Sequence, residues 1–386
     1  MNIGIDIRPL MERHQTGVVV YTYEVLKNIL ADDRENNYFL FFNSFKKIKH
    51  LPAQAGLPKF DCPNVTYCEF RYPNKFFNLA MKFFGWPKVD KLINKKYNTN
   101  LDIFWMPNWQ FIALSKKIKK ILTVHDLSPV LCPEFFSKKR KLWHKFINPA
   151  KLCKTFDQLI AVSKNTKNDL VNTLSIPEEK IKVVYSGLNS RPETQNSQLE
   201  TIKTKYNLPD SFILYLGTLE PRKNIIGIIK AFEKLNSKFL IPNSSLVLAG
   251  PRGWLYEDIY RVAKQSPAAD KIQFINYVDN KDKFDLYKLA KLFVFPSFYE
   301  GFGFPPLEAM SADTPVVASL SSSLGEILKD AALLIDPYNI NEIATAIAQI
   351  LTDEKLKNKL IENGKKLTRK YSWEKCGQEV LEILNR

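Results

Sequence analysis

No Asp-x-Asp pair occurs anywhere in this chain of 386 residues, and its four histidines stand too far apart to share a ligand. These absences remove the usual carboxylate and imidazole means of holding a divalent cation, so no metal and no cofactor are expected. The five cysteines, Cys62, Cys68, Cys132, Cys153 and Cys376, include no Cys-x-x-Cys pair, which fits free thiols in a reducing compartment. No apolar run approaches the roughly 18 residues that a membrane-spanning helix needs. The opening MNIGIDIRPL is too short and too polar for a secretion signal, so a soluble, cytoplasmic protein is expected. Low-complexity segments are lacking, and a hydrophobic content of 45% is enough for two cores of ordinary domain size.

Acidic residues are scarce, and unevenly so. Residues 1–185 carry 30 Lys+Arg against 16 Asp+Glu, whereas residues 186–386 carry 26 against 24. A generally lysine-rich composition would raise both halves, so the N-terminal half is expected to face something anionic. Its basic residues follow no RNA- or DNA-binding pattern, and nucleic acid is not expected. An anionic membrane surface is the better candidate. Between Tyr72 and Lys96, Phe76, Phe77, Ala80, Phe83 and Phe84 recur at helical spacing, and Trp86 stands at the break. Lys75, Lys82, Lys88, Lys91, Lys95 and Lys96 surround them. Aromatics on one side and lysine on the other suit a helix lying in a membrane interface; a core-facing helix with a basic outer side gives the same pattern. Lys116–Lys120 and Lys138–Lys141 read as solvated faces that add to the same field.

Strand-like and helix-like runs alternate from end to end, which predicts parallel α/β structure. Met1–Ile7, Tyr38–Phe42, Asp102–Trp105, Lys120–Val124, Gln158–Val162 and Lys182–Tyr185 read as strands of a first sheet. Phe212–Leu216, Ser245–Ala249, Ile272–Ile275, Leu292–Phe295 and Pro315–Ala318 read as strands of a second. Ser186-Gly187 and the polar stretch Asn189–Ser197 read as the linker, which sets the expected domains at residues 1–187 and 188–372, followed by a last helix at 373–386.

The richest segment is FPSFYEGFGFPPLEAMSADTPVVAS, from Phe295 to Ser319. Pro296 ends a strand, Gly301 and Gly303 permit close approach to a ligand, and Pro305 and Pro306 suit the first turn of a helix. Strand, glycine-bearing loop and helix N-terminus form an anion site at the edge of a doubly wound sheet. Here the segment also carries Glu300 in the loop and Glu308, expected in the first helical turn. Carboxylates repel phosphate but accept hydrogen bonds from sugar hydroxyls, so the ligand expected is a phosphorylated sugar. Upstream, GTLEPRKN (217–224) follows another strand, with Asn224 as a helix N-cap and Arg222 and Lys223 just before it. A diphosphate there would gain charge-assisted hydrogen bonds of about 1.5–3 kcal/mol each.

EGFGFPPLE, with seven residues between its glutamates, and GTLEPRKN about 80 residues before it resemble the retaining glycosyltransferases of family 4. The resemblance covers nearly the whole chain: Asp6-Ile-Arg-Pro with Thr16-Gly17, then Val124-His125-Asp126, Ala161–Thr166, Val184–Gly187 and Asp330–Pro337. Val19 and Val20 stand where the nearest subgroup has a second glycine and an arginine. The resemblance implies a GT-B fold, two Rossmann-like doubly wound domains facing a cleft whose closure excludes water, with the last helix returning to the first domain. It also implies a reaction: transfer of a hexose from a nucleotide-sugar donor with retention, the leaving phosphate helping to deprotonate the acceptor. The donor diphosphate is assigned to Arg222, Lys223 and the backbone near Gly17, Phe302, Gly303 and Phe304. Glu308 is assigned to the ribose, Glu300 and His125 to the transferred sugar. The Arg-Pro-Leu start and GTLEPRKN look most like bacterial mannosyltransferases that use GDP-mannose; UDP- and dTDP-sugars are the alternative donors. The expected acceptor is a lipid-linked or lipopolysaccharide-type glycan at the inner face of the cytoplasmic membrane. Outside this class stand a nucleotide-sugar 2-epimerase and a non-catalytic sugar-binding module.

Overall fold

Short buried runs such as Phe212-Ile-Leu-Tyr-Leu216 are too brief for helices and too apolar for loops, and they become the central strands of two parallel sheets. The computed structural model describes residues 1–12, 15–45, 59–189, 196–237 and 244–386, so most of the polar 189–197 stretch lies outside the described residues. The chain divides into two units. One comprises Met1–Leu127, Leu142–Gly187 and Ser372–Arg386; the other comprises Ser128–Lys141 and Leu188–Tyr371.

The first unit holds β1 (Asn2–Asp6), β2 (Asn37–Asn43), β3 (Val65–Phe70), β4 (Ile103–Met106), β5 (Lys119–Val124), β6 (Gln158–Ala161) and β7 (Ile181–Val183). They pair in parallel in the order β3-β2-β1-β4-β5-β6-β7. β3 is an addition to the expected strands. Its residues, Val-Thr-Tyr-Cys-Glu-Phe, are mostly half-buried at the sheet edge, so it lacks the apolar run that marks the other strands. The second unit holds β8 (Phe212–Leu216), β9 (Ser245–Ala249), β10 (Ile272–Asn276), β11 (Leu292–Phe295), β12 (Val316–Ser319) and β13 (Leu333–Ile335). Their order is β10-β9-β8-β11-β12-β13. In each sheet the order reverses once, between β1 and β4 and between β8 and β11, and ligands of such sheets bind outside the carboxyl ends of the strands at that point. GTLEPRKN leaves β8 and the Glu300 loop leaves β11, so adjacency at the reversal brings the two loops together.

Helix Trp373–Leu384 is capped by the Ser372 hydroxyl and packs in the first unit on helix Gly17–Asp32, where Gly377 lets the backbones close on Asn28. A Cβ at Gly187 would lie 2.3 Å from the Trp373 nitrogen, so only glycine fits there.

Two expectations are corrected. Residues 128–141, inside the span expected for the first domain, belong with the second unit. This narrows the charge asymmetry: the first unit has 28 basic against 18 acidic residues and the second 28 against 22. The aromatic stretch does form a helix, Asn74–Phe84, but its aromatics do not share a side. Phe77 and Met81 enter the core, while Phe76, Leu79 and Phe83 are 74, 50 and 62% exposed on the opposite side. Lys75 and Lys82 lie between the two apolar faces at 3.6 residues per turn. Phe84 and Trp86, beyond or at the helix end, are 82 and 68% exposed. A helix apolar on two faces, with one facing outward, is more than packing against a core requires.

Candidate functional site

In the second unit, Pro221–Lys223 forms a single tight turn after β8. Asn224 follows in the left-handed region (φ 55°) and its side-chain oxygen accepts from the Gly227 N–H at 3.2 Å, so it caps helix Ile225–Ser237 from an unusual backbone. Its amide donates to the Pro337 carbonyl at 2.6 Å. The Arg222 carbonyl accepts from the Phe298 N–H at 2.9 Å, which ties this turn to the loop after β11.

That loop places Glu300 on the two cations. Lys223 Nζ donates to Glu300 Oε1 at 2.5 Å and Arg222 Nη1 stands 3.2 Å from Glu300 Oε2. Arg222 also donates to the Tyr299 carbonyl at 2.5 Å and to Glu220 Oε1 at 2.8 Å. The cations expected to serve an anion are thus shared with a carboxylate. Burial alone would raise the Glu300 pKa, but Lys223 and Arg222 pull it from 4.5 to about 2. Burial raises that of Glu220, against the pull of Arg222 and Lys223. The main chain of Glu300 is held at both ends: its N–H donates to Ser322 Oγ at 2.8 Å, and its carbonyl accepts from Ser323 Oγ at 2.9 Å. Ser322 adopts φ 55°, a strained value for a residue with a side chain, at the point where it grips the loop.

Gly303 has φ 97°, and a Cβ there would lie 2.4 Å from Leu324 Cδ2, so the loop can turn only at glycine. Phe302 is buried against Phe304, with ring centroids 5.1 Å apart. Helix Phe304–Ser311 starts one residue before its prolines, so Glu308 is its fifth residue and not in its first turn. Glu308 therefore stands apart from the cation cluster, where Oε2 accepts from the Tyr287 hydroxyl at 2.9 Å.

In the first unit, Gly17 opens helix Gly17–Asp32 and is its first residue, not part of a loop. The Thr16 hydroxyl takes the Val19 N–H and the Thr16 carbonyl takes that of Val20, while the Val19 side chain is buried. The N–H groups of Gly17 and Val18, in the first turn of the helix, have no intrahelical acceptor. His125 follows β5. Its Nε2 lies 2.9 Å from the Pro107 carbonyl, so it carries the proton, and Nδ1 is left as an acceptor. Burial lowers its pKa, more strongly than the Pro107 hydrogen bond and Asp126 raise it, so the ring is neutral at pH 7. Tyr21 holds it edge-on at 4.8 Å.

The structure thus gathers Arg222, Lys223 and Glu300 into one cluster, keeps Phe302, Gly303 and Phe304 on the same loop, and sets Glu308 a turn farther. Sequence reasoning missed Glu220, Ser322, Ser323 and Tyr287. Glu220 was visible two residues before Arg222, and Ser321-Ser322-Ser323 as a run of helix-capping residues.

Lys223→Ala should lower transfer by more than about tenfold, since a charge-assisted contact is lost. It also removes the nearest cation from Glu300, so the Glu300 pKa should rise and the acid limb of the pH–rate profile should move to higher pH than in the parent. A profile parallel to the parent's would show that Lys223 does not control Glu300. A depressed pKa contributes stability present above the unfolded value of 4.5 and lost as pH falls toward about 2. Parent acid unfolding should have a component in that window which Glu300→Gln lacks.

Two parallel sheets of reversing strand order are the two Rossmann-like domains of the GT-B fold. The chain belongs to glycosyltransferase family 4: residues 16–191 match the model described as Glycosyltransferase Family 4, and residues 197–367 match that described as Glycosyl transferases group 1. Among its relatives, O-antigen chain mannosyltransferase B of Escherichia coli is 33% identical over 68% of this chain and 69% of that protein. Serotype-specific mannosyltransferase WbdA of Escherichia coli is 30% identical over 66% of this chain, but the match spans only 32% of that longer protein. Among solved structures, sucrose-phosphate synthase from Thermosynechococcus elongatus superposes with a TM-score of 0.74 at 19% identity, covering 100% of this chain and 98% of that one.

Proposed function

We propose that this glycosyltransferase moves mannose from GDP-mannose, with retention and without a metal ion, onto a lipid-linked or lipopolysaccharide-type glycan. The observation that carries the reading is the Lys223–Glu300–Arg222 cluster: cations for a diphosphate beside an ionised carboxylate for sugar hydroxyls. In this scheme an incoming diphosphate takes over Lys223 and Arg222 and frees Glu300 to bind the sugar. The Phe302–Phe304 backbone supplies N–H donors, and Glu308 takes the ribose. Gly17 and His125 keep the roles that family resemblance gives them, phosphate and sugar. In this scheme no carboxylate acts as a nucleophile: the leaving phosphate accepts the acceptor proton on the same face, and the protein supplies positioning and charge stabilisation. Mannose and the glycan acceptor are favoured by the names of the relatives, O-antigen chain mannosyltransferase B above all.

Thermal shift against nucleotide sugars tests the donor. At 100 times its Kd a ligand adds about 2.7 kcal/mol to the folded state, so GDP-mannose should raise Tm while UDP-glucose and dTDP-rhamnose leave it in place. A shift with the UDP- or dTDP-sugar alone would reassign the donor. Transfer should survive excess chelator, and a strict need for added manganese or magnesium would refute the metal-free step.

The exposed face Phe76, Leu79 and Phe83, flanked by Lys75 and Lys82, supports peripheral docking on an anionic membrane, where such an acceptor would be met. No helix among the described residues is long and apolar enough to cross a membrane.

A further inference from the structure

Beside the exposed end of helix Asn74–Phe84 the first unit contains a cavity of about 660 Å³, within the size range of pockets that hold small ligands. Five lysines line it, Lys82, Lys88, Lys116, Lys120 and Lys151, and no aspartate or glutamate does. Lys120 has a partner, Asp157, at 3.8 Å. Among the described residues, none of the other four has a carboxylate within ion-pairing distance. Asp90, buried behind the wall, accepts from the Ser115 N–H at 2.8 Å and does not line the space. The rest of the wall is mixed: Phe83, Phe84, Phe111, Ile112, Leu152 and Phe156 give it an apolar part, and Gln110, Ser115 and Thr155 are polar. Phe111 meets Trp143 edge-on at 6.4 Å, and Leu142, Trp143 and Phe146 are 56, 40 and 41% exposed. Of the lining aromatics, Phe83 and Phe84 are themselves largely exposed, and Phe111 has the exposed Trp143 beside it. Lys120 is near the start of β5 and His125 just past its other end, so the two lie roughly 16 Å apart at 3.3 Å per residue.

We propose that this cavity seats a single anionic phospholipid, its phosphate among Lys82, Lys88, Lys116 and Lys151 and its acyl chains along the Phe83–Phe84 and Phe111 side. A wall with unpaired cations and no acid selects an anion, and the same wall's aromatic and aliphatic part is unsuited to a wholly polar one. The inference rests on the membrane-docking reading and adds a defined, saturable site to a diffuse electrostatic attraction.

The test uses the full-length protein and soluble short-chain lipids below their micelle concentration, measured by titration calorimetry. Dioctanoyl phosphatidylglycerol should bind saturably at one site, whereas dioctanoyl phosphatidylcholine and glycerol phosphate should bind at least tenfold more weakly. Lys116→Glu with Lys151→Glu, two exposed positions that are not among the proposed sugar-transfer residues, should weaken phosphatidylglycerol binding at least tenfold and leave donor hydrolysis unchanged. Phe76→Ser with Leu79→Ser, outside the cavity, should weaken co-sedimentation with anionic vesicles while soluble lipid still binds. Vesicle binding without soluble-lipid binding would overturn the cavity site and leave surface docking standing. Equal binding of glycerol phosphate would show a plain anion site, and equal binding of phosphatidylcholine would remove the lysines' role; either overturns the proposal. Binding of neither vesicle nor soluble lipid would overturn both readings.

Discussion

Glu300→Ala should cut transfer by at least about a hundredfold, while free nucleoside diphosphate binds no more weakly than to the parent protein. The split follows from the cluster. In the parent, Lys223 and Arg222 are engaged by Glu300 at 2.5 and 3.2 Å, so a diphosphate must compete with that carboxylate. Removing it releases both cations toward phosphate. The sugar loses the acceptor that the ionised carboxylate offers at every physiological pH. Folding should tolerate the change, because Arg222 keeps Glu220 and the Tyr299 carbonyl and the loop keeps its Ser322 and Ser323 clamps. Turnover with saturating donor, beside a calorimetric Kd for the nucleotide, reads both halves. Near-normal turnover would show that this loop does not hold the transferred sugar.

The second large effect concerns vesicles. Replacing Lys75, Lys82, Lys88 and Lys91 with glutamate should lower affinity for anionic vesicles at least about a hundredfold, since each lysine near such a surface contributes about 1 kcal/mol. The attraction decays within a Debye length, so parent binding should weaken steadily as salt rises. Donor hydrolysis should not change. Two of these lysines, Lys82 and Lys88, also line the cavity, so the variant removes surface attraction and seated lipid together. Equal binding of the parent to neutral and anionic vesicles, or to neither, would point to a soluble acceptor.

The central strands were legible because strands buried on both faces must be continuous apolar runs, and β8, β9 and β11 are that. β3 was not, because an edge strand needs only partial burial. The loops at Gly217 and Gly301 were legible from glycine, proline and helix-forming residues in order. Their joining was not: Lys223 and Glu300 are 77 residues apart, and only the adjacency of β8 and β11 makes them partners. The sequence likewise offered the Arg-Lys pair as free cations, since pairing across that distance leaves no local trace. Helical spacing recovered helix Asn74–Phe84, but aromatics on both its faces have the periodicity of a single wide stripe, so the inward Phe77 and outward Phe76 were merged.

The assignment of residues 128–141 to the second unit, together with the return of 372–386 to the first, bears on how such proteins could be rebuilt. The chain passes from one unit to the other four times. A single genetic crossover near residue 187 would give a chimaera whose second half lacks its own 128–141 segment and whose final helix must pack on a stranger's Asn28 and Gly187. Exchange of donor specificity between relatives should therefore proceed by substitution inside the loops after β8 and β11 rather than by swapping halves.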